Sequence, residues 1–374
     1  MTNPFSIERL PPEAAFCNRH RELADFERYA ADNLKVVLFS PRRYGKTSLL
    51  LRVGDTLSRK GFVCAYADFS TVATVRGVAS EIMRGLFTAL HRRESLLEKG
   101  KRYLRSLTTF RPVVKLSETG YKLTVAPDSD LDEMSLFRRT IEELAEFLAS
   151  HDLRCCFILD EFQEITRLRE SAELEGILRS HIQGVPASFF FLGSRRSVLL
   201  AMFNEKKRPF FKLARNEELA PLPEAEIITF LRERFKQAGK RIPTALCRRI
   251  ARLSRGHAYY MQYLAQELFY LSGEEATQEE LERALASVLD KERYGFAAVV
   301  QGLPLQQLRL LKALAMSPEA KPTGAGFIAR AGMAGSTILD ALHKLIEQDI
   351  VEKDQAGLYR VVDPLFDRWL AGEG

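Results

Sequence analysis

Apolar positions follow two rhythms along this chain. As far as residue 222, short and nearly unbroken apolar runs at 36–39, 62–67, 155–159 and 189–192 alternate with stretches whose apolar residues recur every three or four positions. The short runs are rich in Val, Phe and Cys, as strands covered on both faces are. The longer pattern is that of amphipathic helices: Leu136, Phe137, Ile141, Leu144, Phe147 and Leu148 mark one, and 171–182 another. Strands alternating with helices predict an α/β fold on a mainly parallel sheet. Between two of these units, 112–116, the turn SETG and 121–125 read as an inserted β-hairpin projecting from the sheet.

Beyond Pro221 and Pro223 the strand rhythm stops. Residues 224–289 carry helical patterns only, with a loop at 239–243. From Pro304 onwards come a helix to Met316, a Pro/Gly-rich turn, a short helix through Ile328, a third helix from Ser336 to Glu347, and two short strands at 350–353 and 358–362. That order is a winged helix. The expected organisation is a core at 1–222 with a basic hairpin region inserted at 91–126, a helical lid at 223–294 and a winged helix at 295–374.

A chain of 374 residues, 46% hydrophobic and 28% charged, can bury several cores, which excludes a disulfide-stapled miniprotein and a disordered tail. Five cysteines without CxxC spacing predict a reduced, cytoplasmic protein. With no leader-like N-terminus and no bilayer-length apolar run, no membrane partner is expected. The six histidines show no zinc-binding spacing. The net charge of +6 suggests nucleic acid until it is located. Residues 91–122 hold nine Lys/Arg against three Asp/Glu, equal to the whole surplus, whereas 295–374 hold eight against nine. A helix destined for a major groove needs more positive charge than 336–348 offers, so the winged helix is expected to make interdomain or protein contacts, and if nucleic acid is bound, 91–122 is the better place for it.

The strongest chemical signal is Phe39-Ser40-Pro41-Arg42-Arg43-Tyr44-Gly45-Lys46-Thr47-Ser48, placed between a strand and a helix. A phosphate-binding loop has this form, because backbone N–H groups and a helix N-terminus must surround phosphate oxygens. Gly45 permits close approach, Lys46 reaches the β and γ oxygens, and the Thr47 hydroxyl ligates Mg²⁺; Ser40 stands where the first Gly is usual. Far downstream, Cys155-Cys156-Phe157-Ile158-Leu159-Asp160-Glu161 is a buried strand ending in two acids. Asp160 suits the holding of Mg²⁺ and Glu161 the polarising of the attacking water. Arg42 and Arg43 read equally well as phosphate contacts or solvated loop charges. Arg195, Arg196, Arg208 and Lys212 are candidates for a charge-stabilising cation.

On these motifs the chain resembles the P-loop ATPases of the AAA+/STAND group, most closely the archaeal-type ATPases also found in bacteria, across almost its whole length. Phe16-Cys17-Asn18-Arg19-His20-Arg21-Glu22-Leu23 is similar to the family's N-terminal adenine-holding box, which puts Phe16 and Arg19 at the base; Asn18 replaces its Gly. Phe191-Leu192-Gly193-Ser194 resembles the sensor 1 strand, making Ser194 the residue that reads the γ-phosphate or positions water. Arg208-Pro209-Phe210-Phe211-Lys212 is similar to the stretch that follows. Gly256-His257-Ala258-Tyr259-Tyr260 resembles the Gly-x-Pro box of the lid, with Ala258 for Pro, and DPLFDRWL the family's C-terminal ending. The resemblance implies a five-stranded parallel core with the P-loop strand central, a helical lid and a winged helix. It implies ATP and Mg²⁺ as ligands and an ATP-driven switch with slow turnover, with an unidentified protein partner and oligomerisation on ATP binding open. An ATP-dependent DNA-binding protein of initiator or regulator type is the alternative. A degenerate ATPase holding nucleotide as a structural ligand is a third reading.

Overall fold

The computed structural model describes residues 3–8, 10–11, 14, 16–93, 106–117, 120–127, 130–354 and 356–372. Its centre is a parallel sheet of β1 (Lys35–Phe39), β2 (Val63–Asp68), β5 (Cys155–Asp160), β6 (Ala187–Gly193) and β7 (Arg215–Glu218), in the order β2-β5-β6-β1-β7. The P-loop strand β1 is therefore not central. The middle place belongs to β6, and β1 lies between it and the edge strand β7. β7 is missing from the apolar rhythm because its sequence, RNEE, is largely exposed; a charged edge strand also discourages pairing with another chain.

The alternation of side chains along each strand separates two apolar layers. Val36, Leu38, Cys156, Ile158, Phe190 and Leu192 face α1 (His20–Ala31) and α2 (Lys46–Arg59). Val37, Phe157, Phe189 and Phe191 face the other way, towards α3 (Val75–Arg93), α4 (Glu133–Ser150) and α5 (Ser171–Ile182). Burial on both faces explains the continuous apolar spelling of these strands. The hairpin forms from β3 (Phe110–Ser117) and β4 (Gly120–Pro127) as a sheet of its own. It does not stand clear of the body: Phe110 is buried in the second layer and Leu123 and Val125 pack against it, because the hairpin has an apolar face to cover. Of the basic segment, Lys99, Lys101, Arg102 and Arg105 lie outside the described residues.

After α6 (Arg196–Asn204) and β7 come four helices, α7 (Glu224–Gln237), α8 (Thr244–Ser254), α9 (Ala258–Leu271) and α10 (Gln278–Gln301). A reciprocal capping box between Thr277 and Glu280 starts α10, which runs unbroken past residue 294. The C-terminal unit is α11 (Leu305–Met316), α12 (Ala325–Ala331), α13 (Gly335–Glu347), β8 (Val351–Lys353), β9 (Tyr359–Val361) and α14 (Pro364–Leu370). Asp363 caps α14 by accepting from the Leu365 and Phe366 amides, at 3.0 and 2.9 Å. The helices α7–α10, the C-terminal unit and the N-terminal Phe5 share one apolar cluster.

Polar contacts complete the docking. Ser197 Oγ donates to the Glu347 carbonyl at 2.8 Å and Arg196 pairs with Glu352 at 3.3 Å, so the tip of α13 and the wing rest on the start of α6. Tyr260 OH donates to Asp363 at 2.6 Å, and Arg255 pairs with Asp367. No helix among the described residues is long and apolar enough to cross a membrane.

Candidate functional site

The loop from β1 to α2 takes its shape from two left-handed residues, Arg43 (φ 62°) and Gly45 (φ 94°). Gly45 is the N-cap of α2 and makes no side-chain cap bond, so the first amides of the helix remain available for an anion. Gly45, Lys46, Thr47 and Ser48 all line one cavity of about 610 Å³, shared with Phe16, Arg19, Arg42, Arg43, Tyr44, Glu161 and Ser194. Ser40 and Pro41 lie beneath the loop instead. There the Lys46 ammonium donates to the Ser40 carbonyl at 2.9 Å, the Pro41 carbonyl at 3.0 Å and Ser40 Oγ at 3.2 Å. The Ser40 hydroxyl that departs from the glycine pattern is fully buried against Lys46. It intrudes on nothing in the cavity.

Thr47 and Asp160 lie 113 residues apart in the sequence and meet at 2.7 Å, with the threonine hydroxyl donating. Tyr66 OH donates to the same carboxylate oxygen at 2.9 Å. Burial raises the Asp160 pKa despite these bonds, and burial lowers that of Lys46 to about 8 against the pull of Glu161 and Asp160. Each is penalised for its own desolvation. Glu161, left-handed at φ 51°, turns the chain out of β5 into a 3-10 turn, Phe162–Arg167. Its Oε2 accepts from Ser194 Oγ at 2.7 Å and Gln163 Nε2 at 2.6 Å, and Arg42 Nε donates to Ser194 Oγ at 3.3 Å.

Arg43 keeps 54% of its side chain exposed and lines the cavity, yet its guanidinium turns towards the later helices. Its guanidinium lies 4.1 Å from the Tyr259 ring centre and 3.6 Å from Glu292, so it joins the loop to the lid. Tyr44 does the same, edge-on to His257 at 4.6 Å. Burial holds the His257 pKa down to about 3, a packing residue kept neutral. At the base end, Phe16 forms cavity wall under Arg52, 4.8 Å from its ring centre. Arg19 is buried and donates to Glu22 at 2.7 Å and the Ala220 carbonyl at 2.6 Å, which ties the N-terminal box to the linker before the lid. Asn18 and Arg19 are both left-handed, and Asn tolerates that backbone better than most residues, which explains why it can replace Gly. Ala258 opens α9 at the position where Pro is favoured and Ala is accepted.

Of the four cations after the sensor strand, Arg196 binds Glu352, Arg208 binds the buried Glu175, and Lys212 lies 5.4 Å from the Phe211 ring; none of the four lines the cavity. Three contributors escape sequence reading. Tyr66 is legible only through strand parity, two residues before the end of β2. Gln163 looks like a surface polar residue. The N-terminal strap spans the cavity, with Phe5 inserted among Phe230, Phe235 and Phe269 and the Leu10 amide donating to Ser48 Oγ at 3.2 Å. No pattern marks it.

The fold defines the class: a five-stranded parallel α/β sheet with a Gly-Lys-Thr loop between strand and helix, followed by helices and a C-terminal winged helix. Residues 294–372 match the family described as a probable winged helix domain. A Walker-type ATPase of Pyrococcus abyssi superposes with a TM-score of 0.67 at 14% identity, covering 97% of this chain and 99% of that one. The ORC2 protein of Aeropyrum pernix, solved as ADPNP-ADP complexes, superposes with a TM-score of 0.57 at 14% identity, covering 99% and 98%. No curated protein sequence matches the chain.

Proposed function

We propose that this chain is an ATP-binding, Mg²⁺-dependent ATPase that works as a nucleotide-driven switch. The observation that carries the reading is the 2.7 Å bond between Thr47 and Asp160, which joins the loop to the acidic strand end beside a cavity that Lys46, Glu161 and Ser194 also face. The likeness to a Walker-type ATPase and to a protein solved with ADPNP and ADP supports it. The site fits the ligands: free helix amides, a buried ammonium and a lysine-loop cradle for phosphates, and a hydroxyl–carboxylate pair of the hard oxygen type that Mg²⁺ prefers. Thr47 and Asp160 would hold Mg²⁺, which when bound would supply charge neutralisation for the phosphates.

Lys46 and the α2 amides bind and orient the triphosphate, with Phe16 against the base. Glu161 accepts the proton of the attacking water, and Ser194, anchored by Arg42, holds that carboxylate. The switch runs through contacts already in place: Arg43 to Tyr259 and Glu292, and Tyr44 to His257, whose ring lies 4.8 Å from that of Tyr260, which reaches Asp363 of the winged helix. Movement of the loop on hydrolysis is thereby felt by the lid and the winged helix. The test is phosphate release from MgATP by wild type, Lys46→Ala and Glu161→Gln. Losses of a hundredfold or more are expected in both variants, with Glu161→Gln still binding ATP; equal release by all three overturns the reading.

A further inference from the structure

We infer that Gln163 is a positioning residue for Glu161, holding one carboxylate oxygen so that the other is presented to water; this rests on the ATPase reading above. Three donors converge on Glu161 Oε2: Gln163 Nε2 at 2.6 Å, Ser194 Oγ at 2.7 Å and the Ser194 amide at 3.4 Å. Among the described residues no donor reaches Oε1, and Glu161 lines the cavity. An anchored oxygen beside a free one is the arrangement a general base needs, because a carboxylate that rotates freely spends little time aligned with the water.

Two features of Gln163 and its partner Glu161 run against stability and favour this role. The Gln163 side chain is almost fully buried and its Oε1 finds no hydrogen-bond partner, a penalty that an apolar residue of the same size would avoid. The neighbouring Glu161 holds a left-handed backbone without being glycine. Strain and an orphaned polar atom on two residues joined by a hydrogen bond are expected where geometry serves chemistry. The amide is also sterically fixed. A Cβ placed on Gly193 would lie 2.1 Å from Gln163 Oε1, so the bare backbone of the sensor strand is what admits the Gln163 side chain. The competing structural role, tying down the 3-10 turn, has only the longer bond from Nε2 to Glu164 at 3.2 Å, and Glu164 already pairs with Arg167 at 2.7 Å.

The experiment compares wild type, Gln163→Leu, Gly193→Ala and the double variant in single-turnover hydrolysis and in nucleotide binding. Gln163→Leu is expected to lose ten- to a hundredfold in the hydrolysis rate with ATP affinity within threefold and no fall in melting temperature. Gly193→Ala should reproduce the loss by displacing the amide, and the double variant should be no worse than the poorer single one. A rate within twofold of wild type for a folded Gln163→Leu, or losses in the two variants that multiply, overturns the inference. A readout independent of turnover accompanies these: the Gln163 side-chain amide resonances, identified by their absence in Gln163→Leu, should move on Glu161→Ala, and unmoved resonances also overturn it. Wild type without turnover but with that shift refutes the ATPase reading while leaving the anchoring bond standing.

Discussion

Raising the pH from 7 to 9 should weaken nucleotide binding by about tenfold through Lys46 alone. The ammonium is almost fully buried beneath the loop, and burial lowers its pKa from 10.5 to about 8. A polyphosphate needs the charged form, so the apparent Kd scales with the fraction of protein that must first take up a proton. With a pKa of about 8 that factor is near one at pH 7, about two at pH 8 and about eleven at pH 9, or roughly 1.4 kcal/mol over the range. Binding should take up about half a proton at pH 8 and nearly a whole one at pH 9, counted by titration calorimetry in two buffers of different ionisation enthalpy. Lys46→Arg, charged throughout, should bind with a flat profile whatever its affinity. Stability moves the other way. The unfolded chain keeps this proton up to 10.5, so between about 8 and 10.5 it binds more protons than the folded protein and the fold gains as pH rises. A wild-type Kd that stays within twofold from pH 7 to 9, without proton uptake, refutes the reasoning.

Two more predictions concern the lid and winged helix, where Trp369, the chain's only tryptophan, packs 5.9 Å from Phe296 and reports on their contact. Arg255→Ala strips the partner from Asp367, whose pKa burial already raises, and should cost about 2 kcal/mol, shifting the urea midpoint of Trp369 fluorescence down by about 1 M at an m of about 2 kcal/mol/M; a shift under about 0.3 M, or roughly 0.6 kcal/mol, would show the pair to be idle. His257 stays neutral in the fold down to about pH 3 while the unfolded ring takes a proton below 6.5, so stability should fall by about 2 kcal/mol from pH 7 to 5. His257→Phe should flatten that slope, and an unchanged slope in urea midpoints measured across this range assigns the acid sensitivity to other groups.

Much of the candidate site was legible because its motifs are local. Lys46, Thr47 and Ser48 follow a strand and open a helix, and Asp160 and Glu161 end a strand whose six residues are all buried. β7 was not legible, since an edge strand of charged residues has no apolar rhythm to read. Nor was the direction of Arg43. A cation in a phosphate-binding loop points to phosphate by composition, but here Tyr259 and Glu292, more than two hundred residues later, hold it. Gln163 and Tyr66 have the same cause: a hydrogen bond across strands depends on register and parity, which no run of residues spells.

From its residues alone, this chain determined its α/β class, the two strand ends that lead into its acids and its Gly-Lys-Thr loop, and the order of the winged helix, because periodicity, turn residues and short motifs are properties of neighbours in sequence. Only the tertiary structure decided which strand is central, that Thr47 meets Asp160, that the loop's own Arg43 and Tyr44 grip the lid, and that the wing rests on α6 through Arg196 and Glu352. Those are contacts between residues far apart along the chain, chosen by which surfaces had to be buried together and which charges had to be paired once they were.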